Sequence, residues 1–300
     1  VEAVVSKRVG YANVVDVQPG GAAAQAGLER GDFLEAIDEA GTRDLSLEEI
    51  HRRLRGTVGS EVTLSVVHLH QSDPVKVTIK RVAPKMAPLV TRMDGGVGVI
   101  QVPGFEAGRS PQLAAAVKSL DGAGAKALVL DLRNCGSGSY SEAEQSANLF
   151  LNQGTITYLE GQKFPRETAN AEAAKAVDAS GKLEVLVNFG TSGPCEVAAA
   201  ALQGNGRAQL IGDRTFGEGS VQKLIPVGDG SAVWLSVARY YTPKGKLVQD
   251  GLTPDVLQVQ YAGALPDLDY RPLGVSGQQA DLQMEKALAL AQGAGTGDRE

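Results

Sequence analysis

The chain has 300 residues, 43% hydrophobic and 21% charged, with 37 glycines and a formal charge of −6. That length accommodates two domains with sizeable cores. The composition excludes collagen, mucin-like stalks and wholesale disorder, and an acidic chain without a long basic run is a poor nucleic-acid binder.

In chain order, Val14 to Val17 reads as a short strand, Pro19-Gly20-Gly21 as a turn, and Ala22 to Ala26 as a short helix stopped by Gly27. Gly31-Asp32 turns into the apolar run Phe33 to Ile37. Ser46 and Glu49 form a capping box, and Leu47, Ile50 and Leu54 share one helix face. The basic cluster His51-Arg52-Arg53-Leu54-Arg55 on this helix reads as a solvated face. Val62, Leu64 and Val66 alternate as one strand, and Val75, Val77 and Ile79 as another.

This first segment, residues 1–82, resembles a PDZ domain of the bacterial type, on the stretch Val15 to Asp32 and its tail Ala26-Gly27-Leu28-Glu29-Arg30-Gly31-Asp32. PDZ domains take an extended peptide, usually a free C-terminus, as an added strand. The resemblance implies a peptide lying along Val14, Val15 and Val17 against the helix that carries Ile50 and Leu54. Its carboxylate would be held by the loop around Gly10 and Tyr11.

Pro84, Lys85 and Pro88 mark a linker, placed at 83–90. Beyond it, strand and helix patterns alternate as in an α/β layer. Strands are expected at Val97–Val102, Ala127–Leu132, Leu183–Asn188, Ala208–Ile211 and Ala232–Tyr241. Helices are expected at Pro111–Leu120, Ser141–Leu151 and Glu196–Leu202. Residues 162–179 are polar and Ala-rich and read as a helical or mobile insertion. A last helix puts Met284, Ala287, Leu288 and Ala291 on one face, in a C-terminal extension from 263 to 300 whose end, Gly293 to Glu300, reads as a frayed tail. No apolar run reaches the roughly 18 residues of a membrane span, and no signal peptide is visible at Val1.

Several stretches occur in order here: Leu128-Val129-Leu130-Asp131-Leu132-Arg133-Asn134, Val185-Leu186-Val187-Asn188, and Ile211-Gly212-Asp213-Arg214-Thr215-Phe216-Gly217-Glu218-Gly219-Ser220-Val221-Gln222. Tyr241-Thr242-Pro243-Lys244-Gly245 and Gly251-Leu252-Thr253-Pro254-Asp255-Val256 follow. Together they resemble the carboxy-terminal processing (tail-specific) proteases over nearly the whole chain. The resemblance implies a mixed α/β protein: an α+β PDZ domain and, at 91–262, an α/β-layered ClpP/crotonase-like core.

Those proteases use a Ser-Lys dyad, in which a neutral Lys takes the Ser proton and backbone N–H groups stabilise the oxyanion. The family's Ser lies in [ST]-A-S-A-S-E, which here reads Thr191-Ser192-Gly193-Pro194-Cys195-Glu196, so the nucleophile position is Gly193. The family's Lys lies in T-F-G-K-G, which here reads Thr215-Phe216-Gly217-Glu218-Gly219, so the base position is Glu218. The 25-residue separation matches the family's spacing. Gln222 matches a polar residue that orients the Lys in some members. Pro194 stands where an oxyanion N–H is expected and has none. The other oxyanion loop, usually N-P-G-G, reads Cys135-Gly136-Ser137-Gly138.

The expectation is a pseudoprotease without an intact catalytic set, cofactor or metal, serving as a binder or scaffold for protein C-termini or unfolded segments. The alternative is an active endopeptidase with Ser192 or Cys195 as displaced nucleophile. Cys195 also reads as a small buried residue, or as the partner of Cys135 in a disulfide across the cleft, since the resemblance brings those loops together. All three histidines, His51, His68 and His70, lie in the first quarter of the chain. By resemblance the protein is extracytoplasmic (periplasm, cell surface or thylakoid lumen), with a homo-oligomer or an active protease paralogue as further partners.

Overall fold

The computed structural model describes residues 1–7, 10–18, 20–69, 71–83, 86–178, 181–228, 231–259 and 280–293. Pro19, His70, Pro84 and Lys85, and the tail from 294, lie outside the described residues. The chain divides into one unit up to Ala87 and a second from Pro88.

The first unit contains β1 (Ala3–Ser6), β2 (Ala12–Val17), α1 (Ala22–Gln25), β3 (Phe33–Ile37), β4 (Ala40–Gly41), α2 (Leu47–Leu54), β5 (Glu61–Val67) and β6 (Val75–Lys80). Its antiparallel sheet runs β1-β2-β3-β5-β6, with β4 beside β3. Alternation in β5 sends Val62, Leu64 and Val66 inward to meet Leu34, Ile37 and Ile79. The Ser46 hydroxyl accepts the Glu49 N–H at 3.1 Å and starts α2, whose Ile50 and Leu54 are buried in the same core.

One expectation fails here. β2 is not an edge strand: β1 pairs along it, with Ala3 opposite Val17 and Val5 opposite Val14. Val14, Val15 and Val17 therefore have no open edge on that side, and Gly10 and Tyr11 belong to the connection between β1 and β2. Ile50 and Leu54 face the core rather than a groove.

The second unit contains β7 (Val90–Asp94), β8 (Val97–Gln101), α3 (Arg109–Gly122), β9 (Ala127–Asp131), α4 (Tyr140–Asn148), β10 (Thr155–Gly161) and β11 (Phe164–Asn170). It continues with β12 (Lys182–Val187), α5 (Pro194–Gly204), β13 (Gln209–Gly212), β14 (Ser220–Pro226), β15 (Ala232–Tyr241), β16 (Val256–Leu257) and α6 (Leu282–Ala291). The main sheet runs β7-β8-β9-β12-β13-β16, parallel except for β7. Every residue of β9 is buried, as a parallel sheet covered on both faces requires. One face packs on Leu113, Val117, Phe150 and the Ala198–Leu202 stretch of α5. The other packs on α6, where Met284, Ala287 and Ala291 meet Val97, Val99, Val129, Leu186 and Ile211. A second, antiparallel sheet runs β11-β10-β15-β14.

Three boundaries are corrected. Residues 162–179 carry no α-helix among the described ones. Phe164–Asn170 pairs with β10 as a hairpin, and a 3-10 turn follows at Ala173–Lys175. Val90, placed in the linker, opens β7. The terminal helix is no appendage: α6 is half of the sheet's cover, and Arg133 pairs with Asp281 through two contacts of 2.7 and 2.8 Å. The Asp281 carboxylate also caps α6 by accepting the Met284 N–H at 3.0 Å. Arg133 holds that carboxyl below its usual range against the opposing effect of burial.

A carboxylate introduced at the fully buried Ala287 would have no partner on the sheet face. We expect Ala287→Asp to lose about 3 kcal/mol or more in urea unfolding. A loss under about 0.5 kcal/mol, the surface range, would show that α6 is not part of the core.

Candidate functional site

The loops after β9, β12 and β13 meet at the C-terminal ends of these neighbouring parallel strands, where open α/β sheets place their ligands. The first two are joined tightly. The Asn134 N–H donates to Asn188 Oδ1 at 3.0 Å, and Asn188 Nδ2 returns a bond to Asn134 Oδ1 at 2.9 Å. The Thr191 hydroxyl donates to the Leu132 carbonyl at 2.8 Å, and the Ser192 N–H to the Cys135 carbonyl at 2.9 Å. Cys135 and Cys195, both fully buried, form a disulfide with Cα atoms 5.8 Å apart.

Farther along the first loop, Ser137 Oγ donates to Glu106 Oε1 at 2.6 Å. The Phe105 backbone lies between those of Ser137 and Ser139, with both bonds at 2.8 Å. Gly138 has φ +110°, and a β-carbon there would stand 2.1 Å from the Phe105 carbonyl carbon, so only glycine fits.

Gly193 turns the chain from β12 into α5 at φ +56°, ψ −120°, a strained region that glycine enters at little cost. Pro194 takes the first helical position, where its fixed φ suits the helix and its lost N–H goes unmissed by the ladder. Space for a side chain survives at 193. A β-carbon there would lie 3.7 Å from Glu218 Oε2 and 3.8 Å from the Tyr140 hydroxyl, the nearest groups. Tyr140 donates to the Glu218 carbonyl at 3.3 Å and stacks on Tyr240 with ring centres 4.0 Å apart. Burial, aided by the Glu218 carboxylate, keeps the Tyr140 hydroxyl protonated well above its ordinary range.

Glu196 binds the second loop to the third. It is fully buried on the first turn of α5. Oε2 accepts the N–H of Gly193 at 3.0 Å and of Glu218 at 2.7 Å. Oε1 accepts the N–H of Gly217 at 2.8 Å and the Thr215 hydroxyl. Thr215 in turn accepts the Leu252 N–H at 2.7 Å. Burial pushes the Glu196 carboxyl up to about 7, and the four hydrogen bonds oppose that rise.

Comparisons with known proteins show the family and the fold. The family model described as peptidase family S41 matches residues 96–258, and a PDZ domain model matches 14–67. The chain belongs to peptidase family S41. It is 34% identical over 280 residues to a carboxyl-terminal-processing protease of Synechocystis, covering 91% of this chain and 63% of that one. It is 32% identical to the chloroplastic carboxyl-terminal-processing peptidase 2 of Arabidopsis thaliana, covering 81% of this chain and 48% of that one. The chain thus spans less than two thirds of either relative. Among solved structures it is similar to the photosystem II D1 C-terminal processing protease, with a TM-score of 0.71 and 26% identity over 86% of this chain and 72% of that one.

Gly193, Pro194, Glu218, Ser192, Cys135 and Cys195 lie together where these loops meet. The Ser192 hydroxyl is buried, with no hydrogen-bond partner among the described residues. Cys195 is bonded and carries no thiolate in this state. Gln222 lies on β14, its amide nitrogen 3.5 Å from the Ser236 hydroxyl and its Oε1 buried without a partner among the described residues. Sequence reasoning missed two residues. Tyr140 gave no signal. Glu196 did: an acid three residues after the turn glycine, with proline between them, is half of a capping box.

Two outcomes follow from this site. An ordinary Glu ionises near 4.5, whereas buried Glu196 holds its proton up to about 7. Its contribution to stability is complete below about 4.5 and is lost as pH rises through about 7. The melting temperature should fall more steeply between pH 5 and 8 in the parent than in Glu196→Gln, and parallel curves would contradict this. The disulfide closes a segment of 60 residues, worth about 4 kcal/mol in the chain-entropy picture. Unreduced, denatured protein should show no thiol to Ellman's reagent, and the Cys135→Ala/Cys195→Ala double variant should melt well below the parent.

Proposed function

We propose that this S41 member binds polypeptide without cleaving it: a PDZ-containing pseudoprotease that holds protein C-termini or unfolded segments. The observation that carries the reading is the pair at the family's dyad positions. Gly193 has no side chain, and the group facing it is the Glu218 carboxylate rather than an amine. Acyl transfer by the family route needs a hydroxyl, a base to take its proton and an oxyanion donor. Gly193 supplies no hydroxyl and Pro194 no N–H. A carboxylate at 218 also repels the negative charge that builds on an attacked carbonyl.

Polypeptide binding is supported by the PDZ domain, and the peptide is assigned here to the outer edge of β1 opposite α2. The relatives named as processing proteases act on protein C-termini, and this chain keeps their fold while differing at the reacting positions. The Cys135–Cys195 bond supports an oxidising, extracytoplasmic compartment. Further copies of this chain, or an active paralogue, are proposed as partners in the same compartment.

The test incubates the chain with a fluorescent, loosely folded protein ending in an apolar C-terminus. Anisotropy should report binding, and mass spectrometry should find no specific product. Gly193→Ser alone should stay inactive, because base and oxyanion donor are still absent. It should also lose about 1–3 kcal/mol of stability, because serine is strained at φ +56°. Cleavage by the parent that disappears in Ser192→Ala would overturn the proposal. The triple variant Gly193→Ser, Pro194→Ala, Glu218→Lys asks whether the family chemistry can be restored, and cleavage by it alone would locate the loss at these three positions.

A further inference from the structure

β1 is the outer strand of the PDZ sheet, beside β2. Val5 of β1 stands opposite Val14, yet Val14 turns its backbone the other way. The Val14 N–H donates to the Asp32 carbonyl at 2.9 Å, and the Val14 carbonyl accepts the Gly31 N–H at 2.9 Å. Val5 and Val14 are therefore a non-hydrogen-bonded pair, and the backbone groups of Val5 point outward from the sheet edge. These are the groups that an added strand would pair with.

The outward carbonyl of Val5 is already engaged. His51 of α2 reaches across, its Nε2 lying 2.8 Å from that oxygen. A carbonyl only accepts, so Nε2 carries the proton. Burial lowers the affinity of this imidazole for a second proton, which leaves a neutral ring with Nδ1 bare at neutral pH. Ile50 and Leu54 take the core side of α2, while His51, one residue on from Ile50, is turned to β1. His51 is thus not part of a solvated helix face. The same strand is fastened again at its end, where Lys7 Nζ donates to the carbonyls of Thr42, Arg43 and Leu45 at 2.7, 2.6 and 2.6 Å.

We propose that His51 is a latch on the PDZ groove, holding the β1 acceptor that an incoming peptide strand must take. A peptide N–H replaces the imidazole N–H on the Val5 carbonyl, and the ring swings out of the way. One hydrogen bond is traded for another, so part of the binding free energy is spent on displacing the latch. Lys7 holds the strand in place while the ring moves. The proposal rests on the assignment of peptide binding to the β1 edge.

The test uses the full chain and fluorescein-labelled decapeptides with free carboxylates ending in Val, Ala or Phe. His51→Ala should bind at least one of them about five- to tenfold more tightly than the parent, the equivalent of one ordinary hydrogen bond. Nitrogen-15 NMR of the parent reads the latch without mutation. Peptide-free protein should show the Nε2–H tautomer with a slowly exchanging ring proton, and peptide should shift both ring nitrogens and speed that exchange. Equal affinities together with unmoved ring signals would overturn the latch and leave peptide binding intact. Binding to neither protein would overturn the peptide assignment itself, and the latch with it.

Discussion

One buried carboxylate organises the candidate site. Glu196 accepts bonds from residues 193, 215, 217 and 218, and so fixes the turn into α5 against the loop after β13. The four donors offset part of what burial costs its ionised form. The Phe216 N–H, donating to the Thr191 carbonyl at 3.0 Å, ties the same two segments a second time. The disulfide and the Asn134–Asn188 pair then hold the β9 loop to the same turn. The loops after β9, β12 and β13 are therefore tied together around Gly193 and Glu218.

Much of this was legible in the sequence. The apolar runs at 97–102, 127–132 and 183–188 become the central parallel strands because a sheet covered on both faces needs no alternation. Gly193 and Glu218 could be placed because flanking motifs fixed their register. Other parts were hidden for physical reasons. β11 reads Phe-Pro-Arg-Glu-Thr-Ala-Asn, with most of its residues exposed at a sheet edge, so no buried stripe marks it. The α6 helix gave its apolar face but not the surface that face covers. The cysteine pairing rested on where two distant loops meet, which spacing alone does not tell.

The PDZ groove shows a different limit. Val14, Val15 and Val17 carry the pattern of a strand, and they form one. What the pattern does not reveal is a second strand of only four residues, Ala3–Ser6, lying between β2 and the open edge. That short strand makes β1 the outer strand and sets His51 against it, so on the proposed reading the peptide-taking edge is β1. Helix periodicity puts Ile50 and Leu54 on one apolar face, and that face lies in the core rather than against a ligand as the resemblance implies.

The proposed absence of cleavage has two rivals beside Gly193, the Ser192 hydroxyl and the Cys195 thiol. One of them is freed by a reductant. The most direct measurement is therefore a prolonged incubation of the unmodified chain with a loosely folded protein, with and without a thiol reductant, read by mass spectrometry for new termini. The account predicts no specific product in either arm. A defined cleavage that appears with reductant and vanishes in Cys195→Ala, or one present in both arms and lost in Ser192→Ala, would contradict it.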